Sequence, residues 1–139
     1  MDTATGGYGS GAPASPPCEA SLYVEVRQAA DGRVAVLSLH GDLNTYTVPT
    51  VWARIEAAVA HGTWSLVLDL AGVGFLDAEG IGILIRAKRL AALSEGTLVL
   101  AEVAEQGRKT LRVKGLAEVL PVFPSVAAAV TFLASWGTE

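Results

Sequence analysis

Asp77 stands directly ahead of an apolar, glycine-punctuated stretch, in the run Phe75-Leu76-Asp77-Ala78-Glu79-Gly80-Ile81-Gly82. A carboxylate at that place sits at a helix N-terminus, where backbone N–H groups lack intrahelical acceptors and face a ligand or a partner. Gly80 and Gly82 strip side-chain bulk from the first helical turn, so a second backbone can approach closely. Glycine costs roughly 1 kcal/mol against alanine inside a helix, so two in one turn point to a reason beyond helix stability. The other reading of the same residues is intramolecular: Asp77 caps the helix, and the glycines let it pack tightly on the sheet.

Other groups able to do chemistry are few. With one cysteine and two histidines, no zinc or disulfide framework can be assembled within the chain. Gly72-Val73-Gly74 begins like a dinucleotide fingerprint, but Asp77 occupies the third glycine position and the following acidic residue has no match. Neither a phosphate-binding Gly-x-x-x-x-Gly-Lys-Ser/Thr loop nor a Gly-x-Ser-x-Gly nucleophile elbow occurs. His40 and His61 fall near the ends of a strand and a helix, where histidines more often serve as surface residues. Asp42, Asp69 and Asp77 could gather near strand ends, with nothing to indicate a metal. Neither catalysis, nor a cofactor, nor a metal site is expected.

The elements that must position Asp77 follow from composition and periodicity. The chain has 139 residues, 51% hydrophobic and 17% charged, which describes one apolar globular domain with room for a tail. A net charge of −4 argues against non-specific nucleic-acid binding. Residues 1–20 carry no Lys or Arg and no apolar core, so they read as a flexible Gly/Ser/Pro/Ala leader and not a signal peptide. Cys18 lies in that leader as an incidental thiol. Val119 to Thr138 is uncharged, yet Pro121 and Pro124 interrupt it, leaving a helix well under the ~20 residues of a membrane span. The expectation is a soluble, cytoplasmic protein without membrane insertion.

Strands are expected at Leu22–Val26 and Val34–Leu39, joined through a hairpin turn at Ala30-Asp31-Gly32. Asp42–Thr47 is a polar loop, with Thr47 placed to cap a helix whose first turn holds Pro49 and whose end is Gly62. The strand Ser65–Leu70, interrupted only by Asp69, is apolar enough to be central. The helix behind Asp77 shows Ile81, Leu84, Ile85 and Lys88 on one stripe and stops at Gly96. A strand at Thr97–Leu100, a helix at Glu105–Val113 closed by Gly115, a strand at Val119–Val122 and a helix from Ser125 with Val126, Val130 and Leu133 complete the order β, β, α, β, α, β, α, β, α. Alternation of this kind gives an α/β fold: a mixed sheet, mostly parallel with one N-terminal antiparallel hairpin strand, flanked by about four helices. Seven of the ten basic residues fall between Arg86 and Lys114; they read either as a basic surface steering an acidic partner or as the solvated faces of two helices.

From Leu22 to Trp136 the chain resembles a STAS domain of the bacterial anti-sigma factor antagonist type, which sets the domain at 21–136. The matching pieces are Gly41-Asp42-Leu43-Asn44, Pro49, Phe75 through Gly82, and Gly115-Leu116 ahead of Val119–Val122. The resemblance implies that the chain binds an anti-sigma factor of the serine-kinase ATPase type and so frees a sigma factor. It puts the partner surface on Asp42, Asn44, Thr45, Asp77, Ala78, Glu79, Gly80 and Gly82. Family members are commonly switched off by phosphorylation of a serine just after the motif aspartate. Here Ala78 takes that phosphoacceptor position and has no hydroxyl. Asn44 stands where many members carry aspartate.

Two mechanisms then remain: a chain always competent to bind, which is favoured, or one in which Glu79 imitates the phosphorylated state. Glu79 brings one charge from the next position, against about two charges and three acceptor oxygens for a phosphoserine. Hydroxyls at Thr45, Tyr46 and Thr47 match no known acceptor position. The rival from another class is a non-phosphorylatable STAS adaptor in a stress-signalling or lipid-transport ATPase complex.

Overall fold

The computed structural model describes residues 22–60 and 65–135. Expectations for the 1–20 leader, Cys18, His61, Gly62 and Trp136 fall outside the described residues.

Nine elements follow one another: β1 (Leu22–Ala29), β2 (Val34–Gly41), α1 (Val48–Ala60), β3 (Ser65–Gly72), α2 (Ala78–Leu93), β4 (Thr97–Ala101), α3 (Glu105–Val113), β5 (Val122–Phe123) and α4 (Val126–Ser135). The sheet is mixed, in the order β1-β2-β3-β4-β5. β1 pairs antiparallel with β2, and the remaining neighbours are parallel. This is the α/β arrangement that the alternation of elements implies. Because the parallel strands advance in one direction and their crossovers are right-handed, the crossover helices share one face of the sheet. Leu37, Leu39, Ile55, Leu68, Leu84, Leu100 and Leu111 accordingly form one cluster. The helix α4 covers the other face, where Val34, Val36, Val67 and Val99 meet Ala129 and Leu133. β3 is the middle strand, and Leu66, Val67 and Leu68 are fully buried. Asp69 survives there because its carboxylate accepts from the Ser38 hydroxyl at 2.9 Å and from the Ala71 N–H at 3.0 Å.

Several boundaries differ from the sequence reading, each for a local reason. β1 and β2 run two or three residues further than expected because the hairpin register continues unbroken from Leu22–Gly41 to Ala29–Val34, and β3 runs two further because Gly72 still pairs with His40 of β2. The last strand shifts from Val119–Val122 to Val122–Phe123. There the Leu120 N–H closes a turn onto Leu116 O at 2.9 Å and its side chain is fully buried, while Val119 is exposed. On α2 the buried stripe holds Ile83 and Ala87, with Ile85 and Lys88 only half-buried. On α4 it is Ala129 and Leu133, with Val126 and Val130 half-buried. The hairpin turn forms where expected, with φ of 52° at Ala30 and 59° at Asp31, the sign a type I′ turn requires.

Gly96 does not supply the left-handed residue that ends α2. Glu95 does, at φ 64°. The Glu95 N–H bonds Ala92 O at 2.9 Å and the Gly96 N–H bonds Ala91 O at 2.8 Å, the two bonds of a Schellman cap. A left-handed non-glycine residue costs roughly 1–2 kcal/mol. Glu95→Gly should therefore stabilise the protein by about 1 kcal/mol, net of the extra freedom glycine gives the unfolded chain. Thermal denaturation should show a rise in Tm of a few degrees, and Glu95→Val should show a fall.

Candidate partner-binding site

Two loops leave the same end of the sheet. The loop after β2 carries Asp42 through Thr47, and the loop after β3 carries Val73 through Asp77. They are joined by a lone parallel bridge between Leu43 and Leu76. Both leucine side chains are buried, Leu43 at 0% and Leu76 at 3% exposure. This pairing sets Asn44 level with Asp77. Leu76 is held from α3 as well: its N–H donates to Gln106 Oε1 and its carbonyl accepts from Gln106 Nε2, each at 3.3 Å. Thr110 steadies that amide, with its hydroxyl 3.2 Å from Gln106 Nε2. Sequence reasoning missed Gln106; a glutamine in the first turn of a polar helix gives no signal of an inward bond.

Asn44 organises the first loop. Its Oδ1 accepts from the Tyr46 N–H at 2.9 Å and from the Thr47 N–H at 3.2 Å, an Asx turn. Thr47 does not cap α1 with its side chain, contrary to expectation. Its hydroxyl turns back into the loop, donating to Asp42 O at 2.7 Å and accepting from the Asn44 N–H at 3.0 Å. Thr47 is 1% exposed. Asp42 and Thr45 are exposed, and Asn44 is half-buried.

In the second loop Asp77 is the N-cap of α2, and its Oδ1 accepts from the Gly80 N–H at 2.9 Å. Behind it Ala78 and Glu79 are both exposed. Their N–H groups lie in the first turn, where no helical carbonyl can accept them. The Glu79 carboxylate suits the positive end of the helix dipole.

The two glycines serve different ends. Gly80 is buried, and a Cβ there would stand 2.9 Å from Leu76 Cδ1 and 3.0 Å from Leu43 O. The backbone that approaches it closely is thus the chain's own loop, which corrects the sequence reading of a glycine kept bare for an incoming backbone. Above Gly82 nothing lies within 4 Å, so its missing side chain leaves open space beside Ala78 and Glu79. Phe75 and Tyr46 flank the loops with 55% and 69% exposure.

The remaining charged groups sort themselves differently from the sequence reading. Asp42, Asp69 and Asp77 do not gather: Asp69 turns to Ser38 on the α4 side of the sheet, and among the described residues no three such groups could hold a metal. Lys88 leaves the basic surface altogether. Its Nζ donates to Thr97 Oγ1 at 3.0 Å and to Leu98 O at 3.2 Å, and burial desolvates the ammonium, lowering its pKa. Arg86 lies 4.3 Å over the Trp52 ring, tying α2 to α1. Arg108, Lys109, Arg112 and Lys114 are exposed. His40 stacks on Tyr23 and faces Glu25 at 3.2 Å.

A family model described as "Mlab, STAS domain" matches residues 26–122. The chain belongs to the STAS domain family. A Mycobacterium tuberculosis relative named anti-sigma-F factor antagonist RsfB is 32% identical over 113 residues, covering 78% of this chain and 88% of that one. A Lysinibacillus sphaericus protein named anti-sigma F factor antagonist is 29% identical over 82 residues, 58% of this chain and 70% of the relative. Among solved structures, an anti-sigma factor antagonist from Mycobacterium paratuberculosis superposes with a TM-score of 0.73 at 28% identity, covering 81% of this chain and 94% of its own. The STAS fold inferred from the resemblance is therefore the fold the chain has. No described helix is long and apolar enough to cross a membrane.

The unlike surroundings of the two glycines give a direct test of this geometry. Gly80→Ala should destabilise the protein by about 1–3 kcal/mol, the usual cost of overpacking. Gly82→Ala should be neutral or stabilise by up to about 1 kcal/mol, through helix propensity. Urea unfolding of both variants measures the difference, and equal effects would contradict the packing described.

Proposed function

We propose that this chain is an anti-sigma factor antagonist, a cytoplasmic regulatory binding protein and not an enzyme, whose partner is an anti-sigma factor of the serine-kinase ATPase type. The similarity to RsfB over most of both chains carries this reading. The docking face we propose is the ground around the Leu43–Leu76 pairing: Asp42, Asn44 and Thr45 from one loop, and Asp77, Ala78, Glu79 and Gly82 from the other. Gly80 contributes by letting α2 seat against Leu43. The exposed turn at Ala78 and Glu79 supports that choice, because its free amides and the open space over Gly82 offer a partner backbone a flat approach.

On this reading Ala78 occupies the position of the serine that a kinase partner would phosphorylate, so the chain has no switch at this turn and is always competent to bind. Glu79 adds a single charge and no tetrahedral group of acceptors, so it does not reproduce a phosphoserine. A second reading, a STAS adaptor within a larger ATPase complex, is favoured by the same alanine, since an adaptor needs no acceptor hydroxyl.

Co-purification from the native host, with mass spectrometry of the retained proteins, separates the two. Recovery of a serine-kinase anti-sigma factor supports the antagonist, and recovery of ATPase transport subunits supports the adaptor. With the anti-sigma kinase and ATP, Ala78→Ser should gain one phosphate by intact mass and then bind at least tenfold more weakly, while the native chain stays unlabelled. Gly82→Trp should abolish binding and leave the circular dichroism spectrum unchanged. A phosphorylated variant that binds as tightly as its unphosphorylated form would place the interface elsewhere.

A further inference from the structure

β1 is an eight-residue edge strand, paired with β2 on one side and with no described strand on the other. Such an edge presents a row of unpaired N–H and C=O groups, and proteins usually blunt it with proline, charged side chains or a bulge. β1 has neither proline nor bulge, its register with β2 being continuous over eight pairs, and its only charges, Glu25 and Arg27, are of opposite sign. It also exposes apolar surface at Val26, which is 42% accessible, and at Tyr23, which is 59% accessible and stacked on His40 at 4.7 Å. Among the described residues Arg27 has no ion-pair partner.

The order of charges along β1 is self-complementary. An antiparallel pairing of two copies centred on Val26 sets Glu25 directly opposite Arg27 of the second copy, and Arg27 opposite its Glu25. Val26 then faces Val26, Val24 faces Gln28 and Tyr23 faces Ala29. Residues directly opposite each other in an antiparallel pair point to the same face, so the two ion pairs form on the α4 side and the valines meet on the α1 side. Moving the centre to Glu25 or to Arg27 places like charges opposite each other, which is unfavourable. The charge pattern therefore selects one register. We propose that β1 is a homodimerisation edge, through which a second copy of this chain extends the sheet across a two-fold axis at Val26.

Sedimentation of the full chain from about 1 to 100 µM, a range spanning weak to moderate association, should show a reversible monomer–dimer equilibrium. Glu25→Arg and Arg27→Glu should each weaken the dimer at least tenfold, since each creates two like-charge pairs. The double swap should restore it to near the native value. Circular dichroism and melting of each variant establish that the monomer fold is kept. A native chain that stays monomeric throughout, single variants that dimerise normally, or a double swap that fails to recover would each overturn the proposal. So would a full chain that is monomeric and dimerises only after removal of residues 1–20, which would assign the edge to the chain's own N-terminal segment.

Discussion

The pairing of Leu43 with Leu76 is the contact on which the candidate surface depends. One parallel bridge and two buried leucines join loops that leave different strands and are more than thirty residues apart in sequence. Gly80 makes the arrangement possible, because any Cβ at that position would meet the Leu43 carbonyl. Gln106 completes it from α3 by satisfying both backbone polar groups of Leu76. A buried backbone left without partners would cost about 1–3 kcal/mol per group, so this amide holds the bridge in place from its other side.

The sheet explains why these loops meet at all. β2 and β3 are parallel neighbours, so the segments leaving their C-terminal ends emerge side by side. α/β folds commonly place binding residues at that end of the strands. Unidirectional strand order with right-handed crossovers puts α1, α2 and α3 on one face, so the first turn of α2 rises directly behind the β3 loop. Asp77 then fixes the helix start by capping Gly80. What remains at the surface is a small set of exposed groups, Asp42, Thr45, Ala78 and Glu79, with the first-turn amides of Ala78 and Glu79 beyond the reach of any helical carbonyl.

Much of this was legible in the residues. The alternation of apolar strands with capped helices gave the element order and the mixed sheet, and the Asp77 turn pointed to the helix start. Residues that fold back on the chain were harder to read. Nothing in a Gly-x-Gly spacing distinguishes Gly80, pressed against Leu43, from Gly82, open to solvent; only the position of the neighbouring loop decides it. Lys88 looked like one more surface cation, yet its stem crosses to β4 and its ammonium bonds Thr97 and Leu98. Thr47 had the right type and place to cap α1, but its hydroxyl is already engaged inside the loop by the Asp42 carbonyl and the Asn44 N–H. Glu95 carries the left-handed conformation that a sequence would assign to Gly96, because the Schellman bonds set where that residue must fall.

If the two loops form one docking face, a partner must protect both at once. Hydrogen exchange of the chain, alone and in complex with the anti-sigma factor proposed as its partner, reads this residue by residue. The account predicts slowed exchange together in 42–47 and in 78–82, with α3 and α4 unchanged. Protection confined to α3 or α4, or to only one of the two loops, would contradict it.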